Sequence, residues 1–407
     1  MAAIVTLGVG IGIVVARPVV GRDVGAVRNL RAARSARETV TIVAAGDVLL
    51  DRGVRKAIAG SGARASNGAS DTGGGAGGRD GLRALLSGAR QLFGGADIGL
   101  VNLECPATTV AAPAAKRFVF RAEPEWLHSL RETGITDLCL ANNHALDQGP
   151  GGLGDTIDAA LQAGLRVVGA GHTPAAARLP QIRRFDLGPG EPELTVALLA
   201  YNLFPQEGVV FDPQRPWVCF FDPETIRDEI ETARRAAGVV VVSFHWGKEF
   251  SSVPGPAQVD LAHLACDWGA NVVLGHHPHV VQGIEVYHPN GGPPGSTSLI
   301  AYSLGNFVFD QGGVRAGVID VASTSETFVL KIEVGCLNVG GPATRRTDGA
   351  ENESTGLLGA EVIPVVIDGC SPVAASGENA TRIIQRIAAL SRAFGTFVSA
   401  DGCVWIP

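Results

Sequence analysis

His276, His277 and His279 place three imidazoles within four positions, directly after the apolar run 271–274 and stiffened by Pro278. Neutral imidazole is a common ligand of Zn, Fe, Ni and Mn class ions, so this tract reads as a metal-binding cluster. Four other polar motifs also follow apolar runs: GDVLLDRG at 46–53, NLECP at 102–106, ANNHALDQG at 141–149 and SFHWGKEF at 243–250. Singly, each has an ordinary structural explanation. Asp47 could cap a helix, Glu104 could pair with a surface arginine, and His144 or His245 could be hydrogen-bonded core histidines. Together they bring Asp, Glu, Asn and His to one crevice. Mixed carboxylate and imidazole ligation suits one or two borderline divalent ions, and two ions about 3.5–4 Å apart clamp the attacking and leaving oxygens of a displacement. That arrangement needs a bridging carboxylate, and Glu104 is the candidate. Asp51, Arg52, Lys116, Arg121 and Lys248 are the groups able to recognise an anionic substrate. Asn306, in the turn SLGN at 303–306, offers an amide that can donate to an oxyanion or orient a ligand. Trp246 reads as packing.

The elements that must position these residues are an alternation of strands and helices. Short β-branched or apolar runs at 39–45, 97–103, 136–141, 165–168, 194–200, 239–244 and 271–274 read as buried strands. Between them, helical patterns at 125–133, 153–163, 223–237 and 256–268 give the βαβ order of a layered α/β domain. Open sheets of this kind place ligands at the C-terminal ends of their strands, where the polar motifs fall. After residue 280 the runs 284–287, 298–303, 327–334 and 359–367 follow one another without helices, which predicts an antiparallel or mixed sheet closing the domain. The spacing divides the chain into an apolar segment and Arg-rich linker (1–38), a catalytic domain (39–370) and a C-terminal helical extension (371–407) with its helix at 380–394. Gly/Ala/Ser-rich residues 61–80 and polar residues 340–355 read as flexible surface insertions.

The chain has 407 residues, 46% of them hydrophobic, and a formal net charge of −7. That balance excludes a disordered polyelectrolyte and lacks the basic field that nucleic-acid binding requires. Seven scattered cysteines without a CxxC pair exclude a disulfide framework or zinc ribbon and read mostly as small buried hydrophobes. Residues 2–20 are apolar but short for a membrane span, and arginines follow rather than precede them. The expected location is membrane-associated or cytoplasmic, with any membrane contact made through residues 2–20.

In combination and order, the GD of the first motif, NLE, NNHxLDxG, HWGxE, HPHVVQ and SLGNFVFDQ (303–311) resemble the capsule-synthesis CapA family of poly-γ-glutamate synthesis proteins, over about 40–310. The resemblance implies a calcineurin-like metallophosphoesterase fold, a four-layer αββα sandwich with a dimetal site at the strand C-terminal ends. It implies Asp47 on one metal, Glu104 as the bridge, Asn143, His245 and His277 on the second metal, and His279 on the first. His144 would act on the leaving group or the oxyanion, with Asp147 orienting it. Two positions depart from the phosphoesterase pattern: Leu49 stands where a histidine is usual, and NLE replaces an Asp-containing motif. The implied function is a hydrolase of capsule biosynthesis using two divalent ions (Mn, Fe or Zn), with metal-activated water attacking a phosphoester or γ-glutamyl amide. The alternative is a non-catalytic, membrane-associated assembly or export factor. Implied partners are an anionic polymer or phosphoester and capsule-synthesis membrane proteins.

Overall fold

The computed structural model describes residues 39–65, 76–188, 193–291, 295–310, 324–336 and 355–407. Its strands are β1 (Thr39–Val48), β2 (Ile98–Leu103), β3 (Asp137–Cys139), β4 (Arg166–Val168), β5 (Ala170–Gly171), β6 (Gln181–Phe185), β7 (Leu194–Asn202), β8 (Trp217–Val218) and β9 (Val239–His245). They continue with β10 (Val272–His276), β11 (Ile284–Tyr287), β12 (Ser298–Ala301), β13 (Asn306–Val308), β14 (Glu326–Cys336), β15 (Thr355–Asp368), β16 (Ser371–Ala374) and β17 (Cys403–Val404). One sheet runs β16-β15-β14-β1-β2-β3-β4, with β13 beside β1 and β17 beside β15; a second runs β11-β12-β10-β9-β7-β6. Each is parallel at its centre and antiparallel toward at least one edge, as the change of pattern after residue 280 predicts.

Strand alternation builds the layers. Val40, Ile42 and Ala44 of β1 face the core between the sheets, whereas Val43 and Ala45 face the outer helices. The inter-sheet core also takes Leu198, Val241, Val272, Leu299 and Leu330. Outside the first sheet, Val101 and Leu138 pack on Leu82, Leu127, Leu130 and Leu153; outside the second, Leu199 and Val242 pack on Ile226, Ile230, Leu261 and Ala265. The result is helix, sheet, sheet, helix, the expected four-layer sandwich.

The C-terminal segment packs into the sandwich. Ile383, Ile384 and Ile387, on one face of the helix Gly377–Ser391, are buried in the inter-sheet core at about 1.5–3 kcal/mol each. The hydroxyls of Ser391 and Thr396 accept from the backbone N–H groups of Ile284 (2.9 Å) and Val286 (2.8 Å), satisfying the open edge of β11. β16 and β17 both pair with β15, so residues 371–404 tie the two sheets together. The predicted insertion 61–80 is also partly ordered: helices Arg52–Ala65 and Ala76–Leu85 enter it from both sides, and its residues 66–75 lie outside the described residues. The segments 1–38 and 340–354 likewise lie outside them. No helix among the described residues is long and apolar enough to cross a membrane. All seven cysteines are free, four of them buried.

Candidate metal centre

The crevice lies where parallel strands of both sheets end together. Asp47, near the end of β1, is in register with Asn102 of β2 and Asn306 of β13. β13 can come this close only because residue 46 is glycine: a Cβ there would sit 1.9 Å from the Gly305 carbonyl oxygen. Glu104 follows β2, while His245 and His276 close β9 and β10 as register partners. His277 and His279 sit in the turn beyond, both with left-handed φ (93° and 59°). The fold thus brings Asp47, Glu104, Asn143, His245, His277 and His279 to one place, with Asn143 half-buried and the others buried.

Asp47 is fully buried and holds much of the centre together. Its Oδ1 accepts from Asn102 Nδ2 (2.8 Å), its Oδ2 accepts from the His277 backbone N–H (3.3 Å), and His276 and His279 approach at 3.4 and 3.2 Å. Burial alone would raise its pKa, but the two imidazoles outweigh it and hold the carboxylate well below its ordinary value. Burial raises Glu104 well above the usual carboxylate range. Burial also opposes charge on His279, yet Glu104 and Asp47 beside it lift this imidazole to about 9. Burial, then the His279 charge, depresses His277 to about 3. His279 Nδ1 faces two acceptors, Asn306 Oδ1 at 3.0 Å and Asp47 Oδ2 at 3.2 Å. In the neutral ring that a metal would require, Nδ1 would keep the proton and Nε2, 3.8 Å from Glu104, would be the ligand atom. His245 Nε2 lies 2.9 Å from Asn143 Oδ1 and 3.7 Å from Glu104.

The residues fit divalent ions. His277 Nδ1 and Glu104 Oε2 are buried without a hydrogen-bond partner among the described residues. Leaving such atoms unpartnered costs roughly 1–3 kcal/mol each, and both belong to donor types that such ions prefer. Ligand atoms converge within 4.8 Å in the groups Glu104–His245–His277 and Asp47–Glu104–His279, which share Glu104 as a bridging carboxylate requires. Leu49, by contrast, is fully buried in the apolar core. It supplies nothing to the Asp47 side.

Beside the ligands stands His144, with Nδ1 2.9 Å from Asp147 Oδ2. Asp147 is fully buried, also accepts from the Phe120 backbone N–H (2.7 Å), and pairs with Lys116 Nζ at 2.5 Å. Lys116 in turn donates to the Asn143 carbonyl (2.7 Å). Burial lowers the His144 pKa despite Asp147, so the ring is held neutral. Phenylalanines wall the imidazoles, with ring centroids 4.4 Å apart for Phe120–His144, 4.1 Å for Phe204–His277 and 4.9 Å for Phe309–His279.

The residues expected to bind substrate divide. Asp51 is an internal anchor, accepting from the backbone N–H groups of Arg52 (2.8 Å) and Arg121 (2.8 Å) and pairing with Arg55. Asn306 is buried and orients His279. Arg52 spans the Phe120 and Phe309 rings and pairs with Asp310 at 2.5 Å, with a third of its side chain exposed. Arg121 is half-buried, and exposed Lys248 lines a mainly apolar cavity of about 300 Å³ beside Trp246. Trp246 itself is packing, fully buried with its indole N–H on the Tyr302 carbonyl. Lys116 is a buried support rather than a substrate contact. Sequence reasoning missed Asn142, whose amide bridges Asn102 Oδ1 (3.0 Å) and the Leu103 carbonyl (2.9 Å) while accepting from the His144 N–H. It also missed Glu249; both lie inside quoted motifs, NNH and HWGxE.

The class is a four-layer α/β sandwich whose two sheets bring carboxylate, carboxamide and imidazole groups to one crevice. The chain belongs to the family described as bacterial capsule synthesis protein PGA_cap, whose model matches residues 41–311. It is similar to the PGA biosynthesis protein CapA of Bacillus subtilis (34% identical over 237 residues, 58% of this chain and 59% of that protein). It is also similar to the capsule biosynthesis protein CapA of Bacillus anthracis (35% over 206 residues, 50% and 47%). The chain thus spans about half the length of these curated relatives. A probable polyglutamine synthesis accessory protein of Mycobacterium tuberculosis is 27% identical over 307 residues, 74% of this chain and 73% of that one. Among solved structures, a novel phosphatase of Mycoplasma pneumoniae aligns with 81% of this chain and 94% of its own, at a TM-score of 0.43 and 14% identity.

Proposed function

We propose that this chain is a divalent-metal-dependent hydrolase of capsule or poly-γ-glutamate biosynthesis, cleaving a phosphoester or γ-glutamyl amide in an anionic substrate. The observation that carries this reading is His144, held neutral on a buried Asp147 beside the ligand cluster. A site that merely stored an ion has no use for it. Ions held by Asp47, Glu104, Asn143, His245, His277 and His279 would supply Lewis acidity and lower the pKa of a coordinated water. The chain's own groups supply the rest. Asp147 keeps the proton of the neutral ring on His144 Nδ1, leaving Nε2 to take up a proton and return it at a reacting oxygen. Phe120, Phe204 and Phe309 exclude bulk water from the imidazoles. Arg52, Arg121 and Lys248 provide the positive charge that an anionic substrate needs.

A second reading, a non-catalytic assembly or export factor working with membrane proteins of capsule synthesis, is favoured by Leu49 in place of a first-motif histidine. The two readings separate in one experiment. Manganese-loaded parent and His144→Ala are assayed on p-nitrophenyl phosphate, bis-p-nitrophenyl phosphate and poly-γ-glutamate, with metal content measured in parallel. Hydrolysis is expected from the parent, and at least a hundredfold loss at unchanged metal content from the variant. A metal-loaded parent inert on every substrate, or a variant as active as the parent, supports the second reading.

A further inference from the structure

We propose that Glu249 is a further ligand of the same centre, reaching it through the His277–His279 turn; this rests on the metal-centre reading above. The Asp47 side of the crevice is short of donors. Its convergent group holds Asp47, Glu104 and His279, and Leu49 is buried in the apolar core. Borderline divalent ions in nitrogen and oxygen sites take four to six ligands.

Glu249 is the carboxylate that reaches the histidine turn. One of its oxygens, a His277 nitrogen and a His279 nitrogen all lie within 4.8 Å of one another. It is exposed at the mouth and makes no hydrogen bond or ion pair among the described residues, so its carboxylate is uncommitted. Its charge nonetheless acts on both Glu104 and His279. Independent of Glu249, the buried ring of His277 has an Nδ1 that lacks any hydrogen-bond partner among the described residues.

The loop carrying Glu249 is fixed to the histidine turn. Phe250 N–H donates to the Pro278 carbonyl (2.8 Å) and Trp246 N–H to that of His276 (3.1 Å). Behind it, Gln282 Nε2 donates to the Ser251 carbonyl (2.8 Å), and Gln258 reaches both Gly255 N–H (3.0 Å) and Gln282 (3.2 Å). Charge balance fits as well. Asp47, Glu104 and Glu249 carry three negative charges against the four positive charges of two divalent ions, leaving the centre with one positive charge toward an anionic substrate. With only Asp47 and Glu104 the excess would be two.

The test is Mn²⁺ binding by the full chain, read by calorimetry and by metal content after desalting, for the parent, Glu249→Gln and Glu249→Asp. Because Glu249 is exposed and unpaired, its replacement leaves folding intact, which circular dichroism checks. The expected result is two ions in the parent and, in Glu249→Gln, loss of one ion or at least tenfold weaker binding of one, with partial recovery in Glu249→Asp. Two ions bound by Glu249→Gln within twofold of the parent's affinities overturn this inference and leave the metal-centre reading standing. A parent that binds no Mn²⁺ overturns both.

Discussion

The Lys116–Asp147 pair offers the sharpest test of how the crevice is supported. Both side chains are buried, with 7% and 0% exposure, and Nζ stands 2.5 Å from Oδ1. At that distance and an effective dielectric near 20, the attraction is roughly 7 kcal/mol before the loss of hydration, which costs several kcal/mol per ion. The pair's net worth is therefore modest, while the cost of breaking it from one side is large. Asp147→Ala strands a buried ammonium, the Phe120 N–H and His144 Nδ1, and should lower unfolding free energy by about 3–5 kcal/mol. Lys116→Met leaves Asp147 two of its donors, Phe120 N–H and the His144 ring, and should cost about 3 kcal/mol. In the double variant neither charge is stranded, so its cost should fall short of the sum of the singles by about 2 kcal/mol or more. The assay is urea unfolding followed by tryptophan fluorescence and circular dichroism on all four proteins. Additivity within about 0.5 kcal/mol would show that the two groups do not sense each other, refuting the view of this pair as the brace of His144 and Asn143.

Two other outcomes follow from buried groups in the strands. Burial pushes the thiols of Cys139 and Cys219 up to about 12, above an unfolded value near 8.5. Because the folded pKa is the higher one, their contribution is intact below the unfolded value and is lost as pH rises toward 12. Each should remove about 1.4 kcal/mol of stability per pH unit within that window. Thermal melts from pH 8 to 10.5 should steepen accordingly, and Cys139→Ala/Cys219→Ala should flatten the slope; an unchanged slope would show that these thiols titrate alike in both states. Gly275→Ala would put a Cβ 1.9 Å from the Tyr302 carbonyl oxygen, forcing β10 from its neighbour just before the histidine turn. A loss on the order of 3 kcal/mol, together with lost Mn²⁺ binding, is expected. Wild-type melting and metal content in that variant would contradict the packing described.

What the sequence made legible is what periodicity and residue type encode locally. The β-branched run of β1 and the apolar runs of β7, β9 and β10 state their own burial, and the motifs after them state which ends carry chemistry. β6 was not legible, because its QIRRF pattern places Arg183 where a strand would show an apolar residue; the arginine is buried against Asp137 across the fold. Likewise, the apolar face of the last helix announces burial without naming its partner, and only the topology shows that it closes the inter-sheet core. Asn306 read as a crevice group, and its role in orienting His279 depends on β13 lying in register with β1 across more than 250 residues of chain. Lys116 and Asp51 read as substrate contacts for the same reason. A charged loop residue carries no local sign of the partners that long-range folding will bring to it.

The strain in the backbone points to the same place as the ligand chemistry. Five non-glycine residues among those described have positive φ: Arg52, Phe250, His277, His279 and Cys370. Four of them border the crevice. Each such conformation costs on the order of 1–3 kcal/mol and persists only where its surroundings over-determine it. Here those surroundings are visible: Asp47 accepts from the His277 N–H, Asn306 holds His279, Pro278 receives the Phe250 N–H, and Asp310 and two aromatic rings hold Arg52. For His277 and His279 the effect is to bring two imidazoles and the His277 N–H, which donates to Asp47, from one short turn into a single buried cavity. A fold that needed only stability would place glycine at such positions. Retaining histidine there means that the side chains, with one buried nitrogen left unpartnered, are what the strained turn exists to present.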